Sequence, residues 1–228
     1  MRTLLLFSFF ACHFALSAPI ADWPNLARYQ KANAEIKARA ATEKRVVFMG
    51  DSITDAWPRK MPEFFSQNPY VGRGISGQTS PQMLLRFRQD VIALQPKVVV
   101  ILAGTNDLAG NTGPMTPEQT MDHLASMVDL AQANGIRVVL ASIPPATVFG
   151  WRRELGNPAE RIIAMNQLIR AYAEKHGCVY LDYHQALADA EKGLKKEYQQ
   201  DAVHPNKAGY EVMAPLAQKA ISEALARK

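Results

Sequence analysis

The stretch RVVFMGDSITDAW, residues 45–57, joins an apolar run to three residues that favour turns. Val46 to Met49 have the side chains of a buried strand, and Gly50, Asp51 and Ser52 follow at its carboxyl end. Two interpretations of this ending are open. The three residues form an ordinary turn, for which all of them are well suited, or Ser52 is a nucleophile raised to the rim of a sheet. The rest of the chain decides between the two.

Similar apolar runs recur along the chain. They are short, rich in β-branched residues and apolar without alternation, which is expected when both faces of a parallel sheet are covered. These runs predict the strands of a single sheet. The predicted strands are Arg45–Met49, Lys97–Leu102, Arg137–Ala141 and Cys178–Leu181, with a weaker one at Tyr70–Gly72.

Longer segments of helical character separate the predicted strands. Ser80-Pro81 and Thr116-Pro117 each place a capping hydroxyl before a proline, a typical helix start, and the last helix is predicted to begin near Asn206. An alternation of strand and helix repeated about five times predicts an α/β fold with a three-layer, doubly wound, mainly parallel five-stranded sheet of the flavodoxin-like type. In such sheets ligands bind beyond the carboxyl ends of the strands, where Ser52 and Asn106 stand.

The composition is that of one globular domain, which we place at residues 19–228. The chain has 228 residues, of which 48% are hydrophobic and 21% charged, enough for a substantial core. Its 26 basic and 21 acidic residues are interspersed, so nucleic-acid binding is not predicted. The sequence shows no metal-ligand cluster, and no metal or cofactor is predicted.

The first 18 residues are predicted to be a signal peptide. Arg2 supplies a basic start, residues 4–16 are almost entirely apolar, and the small residues Ser17 and Ala18 suit a signal-peptidase site. The apolar run is short for a bilayer, so no transmembrane segment is predicted and the mature protein is expected to be secreted or periplasmic. The alternatives are a buried N-terminal helix and, because of Cys12, a lipoprotein anchor.

Catalysis by a nucleophilic serine needs a base for its proton and a group that orients the base. Of the five histidines, His204 is best placed. Asp201 precedes it by three residues in QQDAVHPNKAGY (residues 199–210), and Pro205 stops a helix from running through it. One turn of backbone would bring the carboxylate to one ring nitrogen and leave the other for a serine. Taken alone, the pair is also explained by an ordinary helix start with an aspartate cap.

Four short blocks of the chain resemble, in sequence order, those of the SGNH (GDSL) hydrolase superfamily. GDSIT (Gly50–Thr54) is similar to its nucleophile block and GISGQTS (Gly74–Ser80) to its glycine block. GTND (Gly104–Asp107) is similar to its asparagine block and DAVHP (Asp201–Pro205) to its last block. Each block is short, but the four follow the family's order and the predicted strand ends. With the residues that flank them, the blocks cover residues 45–210.

The resemblance implies the SGNH hydrolase fold and a serine esterase. It implies that Ser52 is the nucleophile, His204 the general base and Asp201 the residue that orients it. It also implies an oxyanion hole made by the backbone N–H groups of Ser52 and Gly77 and the side-chain amide of Asn106. The residue chemistry agrees, because glycine lets the backbone approach a ligand and an amide donates a hydrogen bond without a net charge.

The wider resemblance, over residues 82–113, is to secreted bacterial lysophospholipase-like esterases and the platelet-activating-factor acetylhydrolase type. It implies a small-molecule ester substrate with an acetyl or other short acyl group. The alcohol part of that ester could be a sugar, a lipid or an aryl group. A lysophospholipase or thioesterase acting on longer acyl chains is the alternative.

Three aromatic residues are candidate walls of the substrate site. Phe149 and Trp151 stand in PPATVFGWRRELGNP (residues 144–158), a long connection on the expected active-site side, and Trp57 follows the nucleophile block. Phe149 and Trp151 could stack on a sugar or cover an acyl chain, or the loop could be packed by its own aromatics. Trp57 could form a wall of the site or belong to the core.

Two other classes of protein are compatible with such a fold. A non-catalytic carbohydrate-binding module would not need Ser52, Asp201, His204 and Asn106 together. A flavodoxin-type nucleotide binder needs a phosphate loop, but GDSIT contains neither G-x-G-x-x-G nor G-K-[ST] and places an acid where the phosphate would lie. The sequence therefore favours an esterase.

Overall fold

The fold is described by a computed structural model for residues 22–37 and 44–227. The predicted signal peptide lies outside these residues and stays a prediction. Within the described part of the chain, none of the helices has the length and apolar character needed to cross a bilayer.

One five-stranded sheet forms the centre of the fold, and its strands are β1 Val46–Gly50, β2 Tyr70–Gly74, β3 Val98–Leu102, β4 Arg137–Ala141 and β5 Val179–Leu181. All neighbouring pairs are parallel, in the order β2-β1-β3-β4-β5. The predicted α/β fold is confirmed, and β2 runs two residues further than its predicted end. Because the strand order reverses between β1 and β3, the crevice for a ligand lies beyond the carboxyl ends of these two strands.

Helices cover both faces of the sheet. Nine α-helices are present in residues 22–37 and 44–227: α1 Gln30–Lys37, α2 Ser52–Lys60, α3 Pro62–Ser66, α4 Ser80–Asp90, α5 Thr105–Leu108, α6 Pro117–Ala133, α7 Ala159–Lys175, α8 Tyr183–Leu187 and α9 Lys207–Ala226. Side chains of β1 alternate between two cores. Val47 and Met49 pack with α4, α6 and α7, and Val46 and Phe48 pack with α2, α3 and α9. This double burial explains why the strands are continuously apolar.

The start of α4 differs from its prediction by one residue. Thr79, not Ser80, is the capping residue, and its backbone N–H donates a hydrogen bond to Gln82 Oε1 at 3.1 Å. Ser80 is fully buried, and its backbone N–H donates to the carboxylate of Asp107 at 3.1 Å. The carboxylate that follows β3 thus binds the first turn of α4. The last helix begins as predicted, with Asn206 as its cap.

Candidate active site

Ser52 is the first residue of α2 and lies directly beyond the carboxyl end of β1. Asp51 caps this helix, because its Oδ1 accepts a hydrogen bond from the Ile53 N–H at 3.0 Å. The passage from strand to helix is tight at Gly50, where an added Cβ would lie 2.2 Å from Thr54 Oγ1. The turn that the sequence predicts is present, and it brings the Ser52 hydroxyl to the rim of the sheet.

The Ser52 hydroxyl, the His204 ring and the Asp201 carboxylate form a continuous chain of contacts. Ser52 Oγ lies 2.9 Å from His204 Nε2, and His204 Nδ1 lies 2.8 Å from Asp201 Oδ2. A carboxylate only accepts, so this network assigns the ring proton to Nδ1 and leaves the lone pair of Nε2 for the hydroxyl. The arrangement can move a proton from Ser52 to His204 while the serine oxygen attacks a carbonyl carbon.

Asp201 is kept ionised by the backbone that follows it. Its Oδ1 accepts hydrogen bonds from the backbone N–H groups of Val203 and His204, both at 2.8 Å. Partial burial acts to raise the pKa of Asp201, but these hydrogen bonds, together with the one from the His204 ring, hold its pKa below the usual value for an aspartate. The carboxylate therefore stays charged where it faces the ring.

The loop that carries His204 is anchored at both ends. The Gln200 N–H donates to the His204 carbonyl oxygen at 2.8 Å. On the other side, Asn206 Oδ1 accepts from the Gly209 N–H at 3.0 Å and so caps α9. The proline at position 205 lacks an N–H and cannot extend the helix backwards through the loop. The imidazole is thus presented from a short, fixed turn.

The three predicted oxyanion donors are brought together at the ends of β1, β2 and β3. Asn106 Nδ2 donates to the Gln78 carbonyl oxygen at 2.9 Å, and its second bond, to Asp51 Oδ2, is long and weak at 3.5 Å. Gly77 has a φ of 80°, a left-handed conformation that favours glycine. The Ser52 N–H belongs to the first turn of α2, where backbone N–H groups have no partner within the helix.

These groups surround one open cleft with a volume of about 400 Å³. Four predicted site residues and one of the predicted aromatic walls line this cleft. Asp201 does not line it but contacts His204 Nδ1. In residues 22–37 and 44–227, no group of three or more His, Cys, Asp or Glu side chains is arranged to hold a metal ion. The residues that line the cleft are Ser52, Ser76, Gly77, Asn106, Asn111, Trp151 and His204.

Trp57 lies in the core and not, as one expectation had it, at the substrate site. Its side chain is 1% exposed and stacks on Phe64 with ring centroids 5.1 Å apart. It also contacts Phe48 and Tyr210. Five residues along a helix rotate a side chain by about 140° from the starting direction. Trp57 therefore leaves α2 on a different side from Ser52 and packs against the sheet.

The loop of residues 144–158 places only one of its two aromatic candidates in the cleft. Phe149 is fully buried in the core, which corrects the expectation that it contacts substrate. Trp151 stacks on it with ring centroids 5.5 Å apart, while 43% of Trp151 stays exposed. The Trp151 ring centroid lies 6.3 Å from that of His204. The loop is thus packed by its own aromatics and still presents one ring beside the predicted base.

Two polar residues that line the cleft were missed by the sequence analysis. Ser76 donates from Oγ to Asp55 Oδ2 at 2.8 Å. Asn111 lies in the turn GNTG (residues 110–113), shortly after the asparagine block, and is exposed. A glycine-rich polar turn so close to the predicted oxyanion amide was the signal that could have pointed to Asn111.

Two buried aspartates flank the Asn106 amide. Burial raises the pKa of Asp51 to about 6, although its hydrogen bond from Ile53 acts in the opposite direction. Burial also raises the pKa of Asp107, against the hydrogen bonds that Ser80 donates from its hydroxyl and its backbone N–H. Both carboxylates accept hydrogen bonds from nearby backbone N–H groups, as short acidic side chains commonly do at turns.

Residues 48–212 match the model of a family described as GDSL-like lipase/acylhydrolase. The matched range includes Ser52, Asn106, Asp201 and His204, together with all four blocks. It also covers the last three residues of β1, the other four strands and the first part of α9.

Individual relatives agree with this match. The esterase TesA of Pseudomonas aeruginosa is 28% identical over 181 residues, which cover 72% of this chain and 81% of TesA. The crystal structure of a GDSL-like lipase from Bacteroides thetaiotaomicron is 47% identical, has a TM-score of 0.85, and covers 89% of this chain and 100% of its own. A catalytic mutant of an acetylxylan esterase from Geobacillus stearothermophilus is 20% identical with a TM-score of 0.65, covering 79% and 95% of the two chains. That last likeness concerns the fold alone.

Proposed function

We propose, because this chain belongs to the GDSL-like lipase/acylhydrolase family, that it is a serine esterase for small acyl esters. The acyl group is acetyl or another short chain, and Ser52, His204 and Asp201 form the catalytic triad. One observation carries the proposal: Ser52 Oγ lies 2.9 Å from His204 Nε2, whose ring is held by Asp201 at the edge of an open cleft.

The proposed reaction begins with acylation of the serine. Ser52 Oγ forms a bond to the ester carbonyl carbon while its proton passes to His204 Nε2. The carbonyl oxygen becomes an oxyanion, which the N–H groups of Ser52 and Gly77 and the Asn106 amide stabilise. The bond to the alcohol oxygen then breaks, and His204 gives its proton to the departing alcohol. An acyl-enzyme and a free alcohol result.

Water completes the cycle by the same steps. His204 removes a proton from the water as its oxygen attacks the acyl carbon, and the oxyanion forms again in the same place. The bond between the acyl carbon and Ser52 Oγ breaks, and the serine recovers its proton from His204. Asp201 remains ionised throughout and stabilises the imidazolium that appears in both halves.

The size and openness of the cleft favour a substrate with a small acyl group and an alcohol part that extends beyond the cleft. Seven residues line it, and Trp151 is the one large apolar side chain among them. We propose that Trp151 contacts the substrate through its exposed ring face, since an aromatic face offers apolar area to a sugar, a lipid or an aryl group. Its position beside His204 favours the alcohol part, because His204 must protonate that leaving group.

A panel of esters tests this proposal. Wild-type enzyme and Ser52→Ala are assayed on p-nitrophenyl esters from two to sixteen carbons, and on acetylated sugars, lysophospholipids and acyl thioesters. We expect the highest kcat/KM with acyl groups of two to four carbons. A maximum at long chains or thioesters would support the alternative lysophospholipase or thioesterase. Binding of acetylated sugars without any hydrolysis would support a non-catalytic carbohydrate-binding protein.

A further inference from the structure

The side chain of Asn111 joins three separate parts of the cleft wall. Its Nδ2 donates to Asn106 Oδ1 at 3.0 Å and to the Gly77 carbonyl oxygen at 3.1 Å. Its Oδ1 accepts from Trp151 Nε1 at 2.9 Å. One amide therefore links the asparagine block, the glycine block and the loop of residues 144–158.

The partners of Asn111 fix which way its amide points. An indole N–H can only donate and a backbone carbonyl oxygen can only accept. Asn111 must therefore turn Oδ1 towards Trp151 and Nδ2 towards Gly77. This orientation presents an N–H to Asn106, so that Asn106 turns its own Oδ1 towards Asn111.

The orientation of Asn106 matters for the proposed oxyanion hole. With Oδ1 facing Asn111, Nδ2 of Asn106 faces the Gln78 carbonyl oxygen and keeps one N–H beyond that bond. That N–H has a second acceptor in Asp51 Oδ2, but the bond is weak at 3.5 Å and an oxyanion in the cleft can replace it. If the Asn106 amide were flipped, its Oδ1 would face the Gln78 carbonyl oxygen, and the two acceptors would repel each other. The flipped amide would then present no donor to an oxyanion.

We propose, building on the proposed esterase function, that Asn111 is a positioning residue of the oxyanion hole. It fixes the donor direction of Asn106 and links it to the Trp151 wall. The local turn does not need this side chain, because backbone bonds close it: the Asn111 N–H donates to the Asn106 carbonyl oxygen, and the Gly113 N–H to that of Gly110. The side-chain bonds of Asn111 instead go to the Asn106 side chain and to two other loops, at Gly77 and Trp151.

Two substitutions at Asn111 separate positioning from turn formation. Asn111→Asp keeps the shape but removes both donors, and its carboxylate would favour a flipped Asn106. Asn111→Ala removes the side chain and leaves Asn106 held by Gln78. We expect kcat to fall by about 10²-fold for Asn111→Asp and by less than about tenfold for Asn111→Ala, with KM nearly unchanged in Asn111→Asp, which keeps an acceptor for the Trp151 N–H. A purely structural side chain would tolerate the isosteric change better.

A matched control makes the same chemical change far from the cleft. Asn134 is exposed at the end of α6, and its Nδ2 donates to the Leu130 carbonyl oxygen at 2.7 Å. Asn134→Asp also replaces an amide donor by a carboxylate, and we expect kcat to stay within about twofold of wild type. All values are normalised to folded enzyme after thermal unfolding of each variant.

A double-mutant cycle separates orientation from a simple charge effect. In an Asn106→Ala background there is no amide left to orient, so Asn111→Asp should change kcat by less than about threefold. An equal loss in both backgrounds, or a greater loss for Asn111→Ala than for Asn111→Asp, would overturn the positioning role. Wild-type esterase activity would then still stand, so the proposed function would be unaffected. A wild-type enzyme without activity on any ester would overturn both.

Discussion

Arg86 and Asp90 form an ion pair in which neither side chain is accessible to solvent, with Arg86 Nη1 3.0 Å from Asp90 Oδ2. The same guanidinium donates through Nη2 to the Gly50 carbonyl oxygen at 3.0 Å and through Nε to Gln78 Oε1 at 2.6 Å. Gly50 ends β1 and Gln78 belongs to the glycine block. Arg86 therefore links the loop that carries the proposed nucleophile to the loop that carries one proposed oxyanion donor.

Arg86→Ala is expected to lower the free energy of unfolding by about 3–5 kcal/mol, because Asp90 would remain as an unpaired buried charge. Urea unfolding measures the change. Arg59→Ala is the matched control: Arg59 pairs with Asp55 four residues away at 3.5 Å, but its side chain is 63% exposed. We expect that control to cost less than about 1 kcal/mol. Equal losses of unfolding free energy in the two variants would show that burial does not strengthen the Arg86–Asp90 pair.

Ser52→Ala is expected to lower kcat by about 10⁶-fold, since no other hydroxyl lies within hydrogen-bond distance of His204 Nε2 among the described residues. A single partly exposed hydroxyl contributes little to the core, so thermal unfolding should be almost unchanged. Ser126→Ala removes a hydroxyl that donates to the Asp122 carbonyl oxygen on α6, far from the cleft, and should keep full activity. Hydrolysis by Ser52→Ala at the wild-type rate, in enzyme freed of host esterases, would rule out Ser52 as the nucleophile.

Trp57 and Trp151 should respond in opposite ways to substitution by alanine. Trp57→Ala opens a cavity in the core and should lower the free energy of unfolding by about 3–5 kcal/mol. Trp151→Ala should leave stability nearly unchanged and raise KM for esters with large alcohol parts. Steady-state kinetics and urea unfolding of both variants provide the test. A raised KM with normal stability for Trp57→Ala would return Trp57 to the substrate site.

The contrast between these residues shows what the sequence could predict. Parallel strands end at one edge of the sheet, so Ser52 after β1 and Asn106 after β3 are neighbours by topology. Asp201 and His204 are three residues apart, so their contact is local. The burial of Trp57 depends on Phe64 and other partners from distant parts of the chain, and no local pattern reports these contacts.

The role of Asn111 was hidden for a different reason. Its type and its glycine-rich surroundings are those of an ordinary turn. What distinguishes it is a set of bonds to Gly77, Asn106 and Trp151, which come from three different loops. The relative position of those loops is a property of the folded sheet, and the sequence indicates it only through the closeness of this turn to the asparagine block.

Asp51 should make stability depend on pH between about pH 4 and 6. Its pKa is raised from 3.8 to about 6 in the folded protein, so in this window the folded state binds a proton that the unfolded chain lacks. The stabilisation is present below the unfolded pKa and is lost as pH rises through 6, a change of about 3 kcal/mol. An asparagine at this position has no ionisable group, and its side-chain oxygen can still accept the hydrogen bond from the Ile53 N–H. Relative to wild type, Asp51→Asn should therefore gain about 3 kcal/mol of stability from pH 4 to 7. A constant difference in urea unfolding across that range would contradict the shifted pKa.

Asn106→Ala distinguishes an oxyanion donor from a turn residue. The GTND block would make a good turn at the end of any strand, so its presence alone does not assign a role. As a donor, the amide bonds more strongly to the charged tetrahedral intermediate than to the neutral ester carbonyl. Its loss should lower kcat by about 10²–10³-fold, or about 2.7–4 kcal/mol, with KM nearly unchanged.

The same variant also removes the internal hydrogen bonds to the Gln78 carbonyl oxygen and Asp51 Oδ2 and the one from Asn111 Nδ2, so some loss of stability accompanies the kinetic effect. Thermal unfolding measured beside kcat and KM on one acetyl ester separates the two, because turnover is then expressed per folded molecule. Asn166→Ala is the matched control, since that buried amide likewise bonds to a neighbouring loop, at the Ile143 N–H and carbonyl oxygen, but lies outside the cleft. We expect a lowered melting temperature in both variants and a lowered kcat only in Asn106→Ala. A near-normal kcat for Asn106→Ala would remove this residue from the oxyanion hole, and with it the reason for Asn111 to orient it.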